Sequence, residues 1–484
     1  MECADCGSRP AAVFIRRSEG DLSLCEPCAR SRGIMAGAGG LDIRLEGLFG
    51  AVTSPKPECL SCPACGSALS SLLREGRLGC PRCASSFRPA IRRLLSARDE
   101  ARSRWRPNPG RAPAVEAWPA PIRSRDSSAI ASLPFAFPAF SAFGAPGPED
   151  DVVLLTAARA SRAIEGLPFP GVGAPSRGAG ALRFLEGLPG WSFLAPAELE
   201  AGRRRALVEL AFLPPSFAAD SRSRLALSEE LPLYALEGET DHFRAIARLP
   251  GLQAKAAAGL ALGLAEAAGR ARAAAGSPPF ALDEEFGWLC ASVEELGPGL
   301  TLSAFLHLPA LCLAGLQDRL FRALMAEGLQ LRGLYSDAEA STGSVFELAA
   351  GGAAGDGPAE IAEALERGAL KAAAAERRTR AEIARRDPEA ILDVAGRALG
   401  ILANARRVGL EEAASLISAL RLASLAGMLE GLGPGRLGSL LGLLGQGLLE
   451  AASGGGGGGA SPGGGWDAER SRFLRGEVAQ AALA

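Results

Sequence analysis

Nine of the chain's 11 cysteines lie in its first 83 residues, and eight of those nine form Cys-x-x-Cys pairs. The first set is Cys3, Cys6, Cys25 and Cys28, and the second is Cys62, Cys65, Cys80 and Cys83, with Cys59 just ahead of it. Two such pairs place four thiolates on tight turns that can face one tetrahedral ion. Residues 1–35 and 57–96 are each too short to bury a core, so metal binding would supply about 10–16 kcal/mol of folding energy. A disulfide framework is the competing reading. It requires an oxidising compartment, whereas the first residues are acidic and reach Cys3 without an export-type apolar segment. Two structural zinc sites, built on treble- or ribbon-like modules in a reduced cytoplasmic setting, are therefore expected. Four ligands close each shell, which leaves Cys59 as a spare.

Beyond the cysteines the chain changes character. Residues 97–146 are rich in Pro, Ala and Arg and read as a linker, ending in an aromatic cluster at Phe135, Phe137, Phe140 and Phe143 that we expect to pack on the next domain. Residues 147–375 mix apolar strand-like runs, such as Val152 to Leu155 and Leu225 to Leu236, with a long Ala/Leu helix over Leu252 to Ala275. Residues 376–450 repeat apolar positions every three or four residues and read as helical, and 451–484 form a Gly-rich flexible tail. The expected class is α+β. A net charge of −2 gives no reason to expect nucleic-acid binding, and no apolar run is long enough to span a membrane.

The segment from Phe280 to Gly343 carries more information than composition does. A Gly-x-Gly at Gly297 and Gly299 is by itself an ordinary turn signal. Together with His307-Leu308-Pro309-Ala310-Leu311 and Arg332-Gly333-x-Tyr335, it resembles the catalytic domain of the phosphagen (guanidino) kinases, and among them the McsB-like bacterial protein-arginine kinases. Arg159 and Arg162 match an Arg-rich opening motif of that family, and Glu239, Asp241, His242 and Arg244 match its Asn-Glu-Glu-Asp-His-x-Arg box. Residues 1–96, with two different zinc motifs in order and the run Gly76-Arg77-Leu78-Gly79-Cys80, are similar to the McsA-type zinc activators of those kinases. Arg16, Arg17, Arg88, Arg92 and Arg93 could bind acidic partners, although a solvated basic face is the plainer reading of any one of them.

The resemblance implies an antiparallel sheet flanked by helices, with a helical C-terminal part. It also implies transfer of a phosphoryl group from ATP to a guanidinium, with arginine forks holding the phosphates and carboxylates holding the guanidinium. Five phosphate arginines map to Ala157, Arg159, Arg244, Thr301 and Arg332, so three survive. The two carboxylates map to Thr240, which is lost, and Asp337, a shortened substitute. Glu239 is the nearest acid that could stand in for the missing one. The reactive cysteine maps to Ser292, whose turn continues Val293-Glu294-Glu295, and a Gln-Ile-Ser-Asn motif reads Glu347-Leu348-Ala349-Ala350. A phosphoarginine pocket would keep only Arg470, with Ser471 and Leu474 at its other positions. The two histidines, His242 and His307, read as hydrogen-bonding struts rather than metal ligands.

Two missing arginine contacts cost about 3–6 kcal/mol if additive, and a missing acid-base carboxylate costs about 10²–10⁴ in rate. The resulting expectation is a catalytically impaired kinase fused to a zinc activator, with Mg-ATP bound weakly if at all. It would act as a scaffold or regulator for a Clp-type chaperone–protease system or a separate arginine kinase, with a homodimer as a further expectation. Two alternatives stay open: an active arginine kinase using Glu239, Asp337 and the three arginines, and a zinc-dependent interaction protein without nucleotide binding.

Overall fold

The computed structural model describes residues 61–99, 142–170, 180–186, 188–209, 223–333, 342–351, 356–452 and 465–483, with short pieces elsewhere. Contacts divide the chain into residues 1–60 and 61–484. Within the first unit, Val13–Ile15 pairs antiparallel with Leu22–Leu24, and Ile34–Gly37 pairs with Gly40–Ile43. Cys25 is buried there and Cys28 half-buried, whereas Cys3, Cys6 and Cys59 lie outside the described residues.

The second unit is organised by one eight-stranded sheet, antiparallel throughout. From edge to edge its strands are Gln330–Gly333, Val345–Gly351, Leu300–His307, Val153–Arg162, Phe243–Leu249, Leu233–Glu237, Arg224–Ser228 and Trp191–Leu194. The apolar run expected at Val152 to Leu155 extends to Arg162, and the run over Leu225 to Leu236 divides into two strands.

Side chains alternate between the faces with period two. Ala158, Ala160, Leu302, Ala304, Phe346, Leu348, Ala245 and Ala247 point to one face and are buried in a single cluster with the helices Ala254–Ala274 and Pro358–Arg386. Small residues on both partners let the Ala-rich helix lie close to the sheet. The other face is divided. At one end Leu155 and Phe305 pack on the C-terminal helices, through residues such as Ile417 and Leu437. At the other end Leu225, Leu227, Leu236 and Ile246 pack against Leu207, Phe217 and Leu448. Between these apolar patches lies a strip containing Arg159, Ser161, Thr301, Ser303 and Arg244.

Proline opens the helices Pro358–Arg386, Pro388–Asn404 and Pro434–Leu441, where its missing N–H goes unneeded. Phe143 meets Phe305 edge-on at 6.1 Å, in keeping with the expected packing, while Phe135, Phe137 and Phe140 lie outside the described residues. Residues 465–483 differ from the expected flexible tail. They form the helix Gly465–Glu477 and a short strand paired with Leu429–Glu430, because Leu474 is fully buried and Arg470 finds carbonyl partners. Among the described residues no helix is long and apolar enough to cross a membrane.

Candidate functional site

Strand register assembles the strip. Thr301 pairs with Arg159 and Ser303 with Ala157 on neighbouring strands, Ser161 pairs with Arg244, and Arg332 pairs with Glu347. The strip opens into a cavity of about 740 Å³ whose lining includes Arg159, Ser292, Thr301 and Arg332. Two surviving arginines, the substituted positions Thr301 and Ser292, and Glu347 and Ala349 of the altered Gln-Ile-Ser-Asn motif thus meet in one place. Gly299, at φ +59°, permits this geometry, since a Cβ there would lie 2.6 Å from Arg162 Nη1.

The remaining positions fall elsewhere. Ala157 packs against the C-terminal helical cluster, and Asp337 and Tyr335 lie outside the described residues. Arg244, Glu239 and Thr240 sit beside the cavity in a network of their own. Arg244 Nη1 lies 2.5 Å from Glu239 Oε2, and its Nη2 lies 2.9 Å from Asp241 Oδ2 and 3.7 Å from Glu295 Oε2. Thr240 Oγ1 accepts from Arg244 and donates to Glu239 at 2.7 Å. Glu239, the candidate stand-in carboxylate, is therefore already held by this arginine. Arg332 forms an ion pair with Glu347, the residue at the first position of the altered Gln-Ile-Ser-Asn motif.

The cavity's ionised side chains are of both signs. The cavity lining contains Arg159 and Arg332 against Glu294, Glu295, Glu327 and Glu347, so +2 − 4 leaves a formal charge of −2. Ser292 Oγ only caps its own turn, accepting from the Glu294 amide at 3.3 Å. Cys290, two residues earlier, is fully buried, and burial followed by the nearby Asp241 and Glu295 pushes its thiol well above the ordinary range. It supplies no thiolate.

Buried groups around the strip act as struts. Burial raises Asp241 to about 6 against the pull of Arg244, and its Oδ1 accepts the Ala291 amide at 2.7 Å. Burial lowers Arg162 to about 10, with its guanidinium 4.6 Å from the Trp288 ring centroid. His242 Nδ1 accepts the Ile164 amide at 3.1 Å, so Nε2 carries the proton and donates to the Pro168 carbonyl at 2.9 Å. Burial lowers its value to about 4. His307 Nδ1 accepts from Arg421 at 2.7 Å and Nε2 meets Ser418 Oγ at 2.9 Å, tying the sheet to the C-terminal helices. Neither histidine joins a metal-ligand group among the described residues.

The second cysteine set does form one. The Sγ atoms of Cys62, Cys65, Cys80 and Cys83 all lie within 4.8 Å of one another. Separations are 3.7 Å for Cys62–Cys80, 3.5 Å for Cys65–Cys83 and 3.9 Å for Cys80–Cys83. Tetrahedral zinc with bonds of about 2.3 Å requires sulfurs about 3.8 Å apart, so the donor set fits that ion. Gly79 makes the approach possible, because a Cβ there would fall 1.9 Å from Ser67 Oγ and 2.8 Å from Cys65 Sγ.

This module docks on the cavity's own turn. The Leu78 amide donates to the Ala291 carbonyl at 2.8 Å, the Val293 amide to Gly76 at 2.9 Å and the Phe169 amide to Gly79 at 2.9 Å. Leu72, Phe87 and Ile91 share a buried cluster with Phe286, Leu289, Val293 and Leu296. Arg88 does not form the solvated basic face that is the plainer sequence reading but takes the other option, gripping the acidic partners Asp283 and Glu285, each at 2.7 Å. Arg92 also pairs with Glu285. The basic positions were visible in sequence, but their acidic partners lie almost two hundred residues away. The roles of Ser161 and Glu347 were missed for a similar reason, since each is assigned by a strand neighbour. Arg470 donates to the Leu444 and Val408 carbonyls at 2.7 and 2.8 Å and pairs with Asp467. Its fork is thereby committed to the chain's own backbone.

Comparison with known proteins agrees with this architecture. Residues 190–379 match the ATP:guanido phosphotransferase C-terminal catalytic domain, and residues 60–103 match the McsA central zinc-finger domain. The chain is 31% identical over 266 residues to a protein-arginine kinase of Exiguobacterium sp., covering 55% of this chain and 75% of that protein. It is 30% identical to the protein-arginine kinase of Moorella thermoacetica, covering 59% and 83% respectively. To that of Symbiobacterium thermophilum it is 31% identical, covering 57% and 80%.

Proposed function

The chain belongs to the protein-arginine kinase family, with a McsA-type zinc finger in the same polypeptide, and from that premise we propose that its phosphoryl-transfer site is impaired and that it works chiefly through protein contacts. The observation that carries this reading is the charge balance of the cavity, where two arginines face four glutamates. Transfer from ATP requires the opposite balance, because catalysis in this chemistry is positioning plus neutralisation of phosphate charge. The substitutions at Ala157, Thr240, Thr301 and Ser292 act in the same direction.

Zinc fits the Cys62, Cys65, Cys80 and Cys83 set, where it supplies folding energy. A second zinc site at Cys3, Cys6, Cys25 and Cys28 is part of the same proposal. Mg-ATP, where it binds, would use Arg159 and Arg332, with Arg244 beside them. The partner is a Clp-type chaperone–protease component or a separate arginine kinase, and the setting is cytoplasmic. The test is incubation of the full-length zinc-loaded chain with Mg-ATP and an unstructured arginine-rich protein, read by mass spectrometry that preserves acid-labile phosphoarginine. No phosphoarginine is expected. A clear ATP-dependent signal that disappears in Arg332→Ala would overturn the reading and identify an active kinase.

A further inference from the structure

Glu295 closes a polar triangle inside the arginine cradle. Its Oε2 accepts from Ser161 Oγ at 3.0 Å and lies 3.7 Å from Arg244 Nη2. Ser161 Oγ in turn accepts from Arg244 Nε at 3.1 Å. The Glu295 side chain is 18% exposed, and the turn bearing it is fixed on two sides. The Val293 amide is held by the Gly76 carbonyl of the zinc module, and the Ala291 amide by Asp241. Leu296, the next residue, is fully buried. The carboxylate is therefore delivered to this spot by the fold, and a free side-chain rotation does not account for it.

We propose that Glu295 is an internal anionic ligand of the cradle that, with Glu239 and Asp241 already on the other sides of Arg244, keeps a nucleotide's phosphates from the cavity side of Arg244 and from Arg159 in the same lining. A carboxylate and a phosphate oxygen offer a guanidinium the same kind of acceptor. The resident one comes without loss of translational freedom, so it outcompetes a dissolved one. Burial would push this carboxyl up, but Arg244, Arg159 and the Ser161 hydroxyl together hold it below the ordinary range, so it stays charged at neutral pH. Glu294 is the comparison. It lines the same cavity one residue away but is exposed, so solvent screens its charge more than that of Glu295.

This inference rests on the impaired-site reading and names the acid that faces Arg244 from the cavity lining, its other sides being held by Glu239 and Asp241. The experiment is calorimetric titration of the full-length zinc-loaded chain with magnesium ADP. Glu295→Gln is expected to bind at least about tenfold more tightly than the native chain, whereas Glu294→Gln stays within about threefold. Adding Arg244→Ala to Glu295→Gln should abolish the gain. Thermal melting confirms that each variant is folded, and Glu295→Asn is read in the same way if the glutamine form is not. The proposal is overturned if Glu295→Gln gains nothing, if Glu294→Gln gains as much, or if the native chain already binds as tightly as the variant. Those outcomes leave the impaired-kinase reading standing, because that reading fails only on phosphoarginine formation by the native chain.

Discussion

The cysteine cluster and the arginine cradle are joined by one docked turn and obey opposite logic. In the cluster, four soft donors of one kind converge within 4.8 Å, an arrangement that a cation completes. In the cradle, Arg244 meets Glu239, Asp241 and Glu295, and Arg332 meets Glu347, so two of the three surviving arginines are paired with the chain's own carboxylates. On the reading proposed above, survival of binding residues is a poor guide to binding. What distinguishes a site is whether its charge remains uncompensated once the chain has folded.

The largest expected effect tests the cysteine cluster. Cys80→Ser should lower zinc content by about one ion per chain and unfold residues 61–95, because structural zinc contributes about 10–16 kcal/mol to such modules. Metal analysis together with limited proteolysis would check both. Retention of zinc and protease resistance would mean that Leu72, Phe87 and Ile91 hold the module without the metal, and the contrast with the cradle would lose its basis.

A second prediction sharpens what an arginine does to a buried acid. Glu295 is held below its ordinary range by Arg244, whereas Glu376, which accepts the Ala310 and Leu311 amides at 2.9 and 3.0 Å, is raised by burial to about 7. The unfolded value is near 4.5, so between roughly pH 4.5 and 7 the folded state holds more protons than the unfolded one. The contribution is present below pH 4.5 and lost as the pH rises through 7, with a limiting slope of about 1.4 kcal/mol per pH unit for this group. Urea denaturation across that range should show the loss, and Glu376→Gln should flatten it. An unchanged slope in the variant would place the titration on another group.

The sequence made much of this legible where chemistry is local. The Cys-x-x-Cys spacing identified the cysteine cluster, and period-two apolar runs beside an Ala/Leu helix identified a sheet with flanking helices. Arg159, Thr301, Arg332 and Ser292 were marked by motif and do meet at one cavity. The internal partners of Arg332 and Arg244 were not legible, because Glu347 faces Arg332 and Ser161 faces Arg244 only through strand register. Nor could spacing show that Arg88 reaches Asp283 and Glu285, a pairing created by the docked module.

That docking supplies the third prediction. Arg88→Ala removes a bidentate grip on Asp283, an ion pair with Glu285 and a stacking contact with Phe286 at 5.1 Å. With the side chain 32% exposed, solvent screening reduces the effect, and a loss of about 1–2 kcal/mol is expected by chemical denaturation with zinc retained. Loss of zinc in this variant would show that the cysteine cluster depends on its docking surface rather than standing on its own ligands.

The smallest effect belongs to Arg332, and it separates compensation from contribution. In its ion pair with Glu347 the arginine side chain is 70% exposed while the glutamate is 7% exposed. An exposed partner is screened and retains its conformational freedom, so the pair should be worth about 0–1 kcal/mol. The asymmetry matters more than the mean. Arg332→Ala leaves a mostly buried carboxylate without its partner, whereas Glu347→Gln keeps an oxygen able to accept the same hydrogen bond. Arg332→Ala should therefore destabilise slightly more than Glu347→Gln, and the double variant should match Glu347→Gln to within about 0.5 kcal/mol, since only a neutral hydrogen bond to a largely exposed arginine remains once the charge it answers is gone. A double-mutant cycle by urea denaturation measures this. Additive losses would mean that Arg332 and Glu347 act separately, leaving the arginine uncompensated and the cradle more like a working phosphate site than its charge balance suggests.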